Sequence, residues 1–286
     1  MKILRRAAFW SAAVWVAALP TVILPGVVVR AGSIVPRPRL TVPSARLTPA
    51  VTADPSDPAW ATAATIPALT LSQGDGGRGL SPLPTQVKLL WDKEALYLRF
   101  VCTATEIYAP ARTHDAALYT GDVVEVFLDV KGDGRQWIEL EVSPDNVTFD
   151  QVTTLTADPV SGASLVLAGA VLDRDWWVDL SWSLDGWRTA ATVQRTAGKV
   201  TGWTVDMALP APSVLRRLGT DHYAPMTLRA NFLRYEQLQE TNPKSQRRLL
   251  ALNWSPVQYG CPHISPLAMG FLTLAQTDPT GKKGVR

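Results

Sequence analysis

The sequence predicts an all-β protein: an antiparallel β-sandwich of jelly-roll or immunoglobulin-like two-sheet architecture with one short helix. Three observations lead there. From Trp60 onward apolar residues recur with period two, Gly, Pro, Asn and Asp punctuate the runs at hairpin-like spacing, and strands and helices never alternate as they do in parallel α/β folds. In "GWTVDMAL", for instance, Trp203, Val205, Met207 and Leu209 alternate with Thr204, Asp206 and Ala208, the pattern of a half-buried strand.

Read in order, the chain opens with Lys2, Arg5 and Arg6, then an uncharged run from Ala7 to Val29 and a small-residue cleavage pattern ending at Ala31. Residues 1–31 have the form of a secretory signal, with an uncleaved membrane anchor as the alternative. Removing them leaves 24 Lys and Arg against 25 Asp and Glu, a net charge of −1, so the basicity belongs to the leader. No cationic stripe remains for nucleic acid. Residues 32–47 are proline-rich and predict an extended spacer. A single domain is expected over 48–277, followed by a polar tail at 278–286.

The strand candidates are "QVKLLW", "ALYLRFVC", "DVVEVFLD", "QWIELEVS", "SLVLAGAVL", "WWVDLSW", "RTAATVQ", "GWTVDMAL", "TLRANFLRY" and "GFLTLA"; only "APSVLRRLG" has helical character. Two cysteines, Cys102 and Cys261, exclude a disulfide scaffold. They are read either as a pair closing a long loop or as a buried apolar residue and a loop thiol.

Several segments, taken in order, resemble the family 9 carbohydrate-binding modules and their DOMON-type relatives: "DPSDPAW", "VKLLWDKEALYLRFVC", "LYTGDVVEVFLDVKGDGRQWIELEVSP", "GWTVDMALP", "LRANFLRYE", "LNWSP" and "PLAMGFLTL". The resemblance spans residues 51–275 and implies a non-catalytic sandwich that binds glycans. In the well-known members two tryptophans sandwich a sugar; their positions here hold Tyr119 and His263. The family's strand Glu is kept as Glu125 and its Asn as Asn231, whereas Glu139 replaces a basic residue.

Alternation places Val124, Val126 and Leu128 on one face of a hairpin with Ile138, Leu140 and Val142, and puts Glu125, Phe127 and Asp129 on the other face. The turn "KGDGR" joins the strands, so Glu125 lies opposite Glu139 or Glu141. Opposed like charges disfavour the pairing unless something compensates. Three compensations are open: arginines such as Arg99 or Arg229, a cation such as calcium on "DVKGDG", or sugar hydroxyls. For sugar, the expected contacts are Tyr119, Trp137, Trp254 and His263 as planar faces, with Glu125, Glu139 and Asn231 as hydroxyl partners.

Paired carboxylates also suit glycoside hydrolysis, but no second pair lies on long loops that would wall a cleft, and no GxSxG elbow or Cys/His zinc cluster occurs. The expectation is therefore no enzyme and no cofactor, with calcium as the one open ion. Two alternatives differ in class: a structural or protein-interaction module, and a haem-binding domain using Met207, Met226 or Met269 with His222 or His263.

Overall fold

The computed structural model describes residues 37–72, 79–155, 176–240, 246–255 and 266–277. The leader, the tail, "SLVLAGAVL", Cys261 and His263 lie outside them. In chain order the strands are β1 (Arg39–Pro43), β2 (Ala64–Ile66), β3 (Thr70–Leu71), β4 (Thr85–Trp91), β5 (Ala95–Thr103), β6 (Val123–Asp129), β7 (Gln136–Val142), β8 (Thr148–Leu155) and β9 (Trp176–Asp179). They continue as β10 (Arg188–Thr196), β11 (Lys199–Pro210), β12 (Met226–Leu238), β13 (Arg248–Asn253) and β14 (Gly270–Ala275). The helical segment is one turn, α1 (Ala211–Val214), followed by a 3-10 turn at Arg216–Leu218.

Two sheets form. The larger runs β1-β14-β12-β6-β7-β8-β9, with β13 and β3 continuing from β12, and the smaller runs β10-β11-β5-β4-β2. Side chains from the facing surfaces build the main core: Val124, Val126, Leu128, Leu140 and Phe232 from one sheet meet Val87, Leu98, Phe100, Trp203 and Met207 from the other. Every one of these sits at the inward position that period-two alternation assigns it. Trp60, Trp91 and Trp203 are buried, as their motifs predict.

The expected spacer is corrected. Arg39–Pro43 forms an edge strand, parallel to β14, with Val42 in the core and Leu40 packed against it. Its prolines are tolerated because an edge strand uses only one side of its backbone. The otherwise antiparallel pairing thus carries one parallel edge.

Buried charge closes both sides of the smaller sheet. On its outer side Arg99 forks onto Asp206, Nε to Oδ1 at 2.7 Å and Nη2 to Oδ2 at 2.8 Å, with the Trp60 ring beneath the guanidinium at 4.8 Å. Asp206 also accepts from the Ala53 amide at 2.8 Å, which ties the "DPSDPAW" segment to the sheet. Between the sheets, Arg234 of β12 donates to Thr85 Oγ1 (2.9 Å) and to the Thr103 carbonyl (2.8 Å) across the sandwich. Its Nη2 lies 2.5 Å from Glu236 Oε2.

Cys102 is a buried free thiol whose pKa burial pushes up to about 12, with Arg234 opposing, so it is an inert core residue. Among the described residues no helix is long and apolar enough to cross a membrane.

Removing one member of a buried ion pair strands the other charge. Asp206→Ala should therefore cost about 3–5 kcal/mol in urea unfolding. Arg99→Met with Asp206→Leu should cost clearly less than Asp206→Ala, and equal losses would show that the pair's charge is not what matters. Glu236 gives a pH signature. Burial raises its pKa to about 7, Arg234 opposing, so the folded chain holds this proton more tightly than the unfolded chain does. Its contribution to stability should decline as pH rises from about 4.5 to about 7, and Glu236→Gln should remove that component of the slope when unfolding is followed from pH 4 to 8.

Candidate functional site

Tyr119 sits on a 3-10 turn, Leu118–Thr120, in the long connection between β5 and β6. Asp122 fixes this connection. Its backbone N donates to Tyr108 O at 2.6 Å, its Oδ2 accepts from Tyr108 N at 2.7 Å, and its Oδ1 accepts from Gln237 N of β12 at 2.8 Å. Gly121 is required between them, because a Cβ there would lie 2.7 Å from both Pro110 Cδ and the Tyr108 carbonyl. Farther along, Arg247 covers the Tyr108 ring at 4.2 Å and pairs with Glu106 at 3.0 Å. The half-buried Tyr119 ring is thereby carried on a loop tied to the larger sheet.

The carboxylates share the outer face of that sheet, as alternation requires. The register pairs Glu125 with Glu141 and Phe127 with Glu139. On their other sides Glu125 faces Leu233 of β12, and Glu139 faces Gln151 of β8, whose Nε2 donates to Glu139 Oε2. This face is not solvated. Glu125 is 0 % exposed, and Glu139 and Glu141 are each 2 % exposed. Around them a second apolar cluster forms from Leu118, Val123, Phe127, Trp137, Leu155, Leu233, Tyr235, Ala251 and Met269, with Tyr119 and Phe149 packed against it.

Several expected contacts are relocated. Trp137 does point to the carboxylate face, but at 1 % exposure it is part of the second cluster and presents no open ring. Trp254 lies on the opposite side, against Phe232 of the main core at 5.4 Å, and Gly270 has no Cβ because that ring occupies the space. Asn231 is spent on the fold: its Nδ2 donates to Ser255 O at 3.0 Å, while its Oδ1 accepts from Ser255 N at 2.8 Å and from Phe232 N at 3.0 Å. It holds the "LNWSP" turn against β12. Of the expected residues, Glu125, Glu139 and the buried Trp137 share one face, with Tyr119 packed against its apolar cluster; His263 lies outside the described residues.

Arg99 belongs to the other sheet, and Arg229 is paired in register with Asp129 and lies over Phe271 at 5.1 Å. In the "DVKGDG" turn Asp129 Oδ1 and Oδ2 accept from Gly132 N and Gly134 N at 2.8 Å each, which fixes the reversal between β6 and β7. Met207 of the smaller sheet lies in the main core and Met269 in the second cluster, while His222 is exposed beside Asp221. Two polar residues that shape the site, one on the carboxylate face and one beneath the loop, are not marked as contacts by the sequence pattern. Gln151 lies on β8, whose "TFDQVTTL" mixes polar residues into both faces, and Asp122 is marked only by its place before an apolar strand.

This two-sheet sandwich, with a covered polar face and an aromatic loop tied beside it, defines the class of an all-β sandwich module. Within that class, the chain belongs to the carbohydrate family 9 binding domain-like family, whose model matches residues 53–223, more than half of the sequence. A family 9 module from Caldicellulosiruptor kristjanssonii in complex with cellotriose is similar at 14 % identity and TM-score 0.55, covering 87 % of this chain and all of that one. The same organism's module in complex with glucose is similar at 13 % identity and TM-score 0.53, over 84 % and 97 %. A Bacteroides uniformis protein is similar at 12 % identity and TM-score 0.56, over 84 % and 100 %. At these identities the likeness establishes the shared fold. Comparison with curated proteins by sequence finds no match.

Core and rim roles separate on truncation. Trp137→Ala should cost about 3–5 kcal/mol of stability through the cavity it leaves. Tyr119→Ala, at a half-buried position, should cost much less. Equal losses in paired denaturant melts would contradict this placement.

Proposed function

We propose that the protein is exported and binds carbohydrate without catalysis, engaging a glycan at the rim of the larger sheet's outer face. What supports the reading most is one juxtaposition within a family 9 fold: a half-exposed ring, Tyr119, on a fixed loop beside a face that gathers Glu125, Glu139, Glu141 and Gln151. A neutral sugar requires this pairing of chemistries, a flat apolar surface for its C–H face and planar acceptors for vicinal hydroxyls. His263 would supply the second planar face, as the family resemblance implies.

Glucose and cellotriose, the ligands of the similar modules, are the first probes. Calorimetry on the full chain should show saturable binding to one of these or to a glycan found by array. Tyr119→Ala should weaken binding by about tenfold, the scale of one stacked aromatic. Adding Glu125→Gln, at a fully buried position, should abolish retention in a double variant that circular dichroism shows to be folded. Undiminished binding by the double variant would remove this site.

A further inference from the structure

A second polar cluster lies at the edge of the larger sheet, away from the carbohydrate reading. His114 and Asp115 come from the β5–β6 connection, and Asp150 from β8. One ligand-type atom from each lies within 4.8 Å of the others. The connection docks here on the strand edge: Asp115 N donates to Thr148 O at 3.1 Å, with Asp115 held in the left-handed region at φ 63°. Such a backbone costs energy for a non-glycine residue and persists where surrounding contacts enforce it.

Two details give the cluster the chemistry of a metal site rather than of a solvated acidic patch. His114 Nδ1 lies 2.9 Å from the Thr148 carbonyl and 3.0 Å from Thr148 Oγ1, and the carbonyl contact is a hydrogen bond in the tautomer that carries its proton on Nδ1. In the neutral ring Nε2 then carries the lone pair, on the side facing Asp115 Oδ1 at 3.3 Å. A histidine oriented by a backbone carbonyl through its other nitrogen is the usual second-shell arrangement of a metal ligand. Asp150 is the independent observation. It is 1 % exposed, its Oδ2 accepts from Leu184 N at 3.1 Å, and its buried Oδ1 has no hydrogen-bond partner among the described residues. A buried carboxylate oxygen without a donor is costly, and a cation satisfies it.

We infer that His114, Asp115 and Asp150 form a binding site for a divalent transition-metal ion of the zinc type. One imidazole nitrogen and two carboxylates suit zinc, which accepts mixed N and O donors at low coordination number, better than calcium, which takes six or more oxygens. Zinc needs its donors at about 2.0–2.2 Å. Asp115 is exposed, so its side chain is free to close on an ion held by the oriented His114 and the fixed Asp150, leaving the outer coordination position to water. The ion would fasten the β5–β6 connection to the edge of β8.

The test is zinc titration of the chelator-treated full chain by calorimetry, with calcium run in parallel. One zinc should bind per chain. His114→Ala and Asp150→Asn should each weaken it by at least about tenfold, the smallest loss that removing even an outer-shell partner produces. His222→Ala, at an exposed histidine beside Asp221, should bind as the parent does. The Asn variant is isosteric and His114 is exposed, so circular dichroism should show both folded. Absence of saturable zinc binding, parent-like binding by either variant, or a site that takes calcium and not zinc would each overturn the assignment; the first would mean that His114 serves as an ion-pair partner of the two aspartates instead.

Discussion

Arg234 is the interaction on which the rest of the architecture hangs. Its guanidinium, fully buried between the sheets, donates to a side chain and to backbone carbonyls of the opposite sheet and lies against Glu236. Apolar packing alone leaves two sheets free to shift relative to one another, since dispersion is non-directional. Charge-assisted hydrogen bonds are directional, and one side chain that donates to Leu83, Thr85 and Thr103 fixes how the sheets register. The same positive charge favours ionisation of Asp122 against the burial that opposes it. Asp122 in turn holds Tyr108, Gln237 and the Tyr119 turn. A core cation thus supports the loop that carries the candidate aromatic contact.

The second constraint is that the larger sheet is covered on both faces. Its inner face meets the smaller sheet, and its outer face is roofed by residues such as Leu118 and Met269. Carboxylates on such a face are already out of water. They persist there because polar neighbours occupy the same layer, as Gln151 does for Glu139, and because β6 and β7 cannot slip by one residue without exposing the whole main core. The register that buries Val126 and Leu140 therefore also opposes Glu125 to Glu141.

This explains how far the sequence could be read. Period two assigns each residue of β6, β7, β11 and β12 to a face, and the faces are as alternation predicts. What alternation cannot distinguish is a second covered face from a solvated one, since both appear simply as the other half of the pattern; Trp137 and the carboxylates were misplaced in exposure for that reason, not in direction. Arg234 and Glu236 stand at inward positions of "NFLRYE", and a charge at an inward position was the available signal for the staple between the sheets. Other features depend on long-range partners that spacing does not encode. Arg39–Pro43 is a strand only because β14 lies beside it, and Asn231 is a turn clamp only because Ser255 returns to it. Asp150 and His114, thirty-six residues apart in the chain, meet because the β5–β6 connection docks on β8 at Thr148.

The same covering decides what kind of ligand recognition the proposed site can support. Where acceptors are already desolvated, a sugar hydroxyl replaces a partner inside the protein rather than water, and the gain is the difference between two protein-side hydrogen bonds. Each such exchange is worth little, because a typical hydrogen bond contributes only about 0.5–1.5 kcal/mol net. Affinity must then come mainly from the apolar contact, and specificity from the geometry in which the carboxylates are held. Tyr119 offers a smaller ring than the tryptophan of the well-known members, but the loop that carries it is held by Asp122 and by the close approach at Gly121, so little backbone freedom remains to be lost when a ligand settles on it. Preorganisation of one modest aromatic, rather than a wide clamp, is the physical basis on which this site would bind.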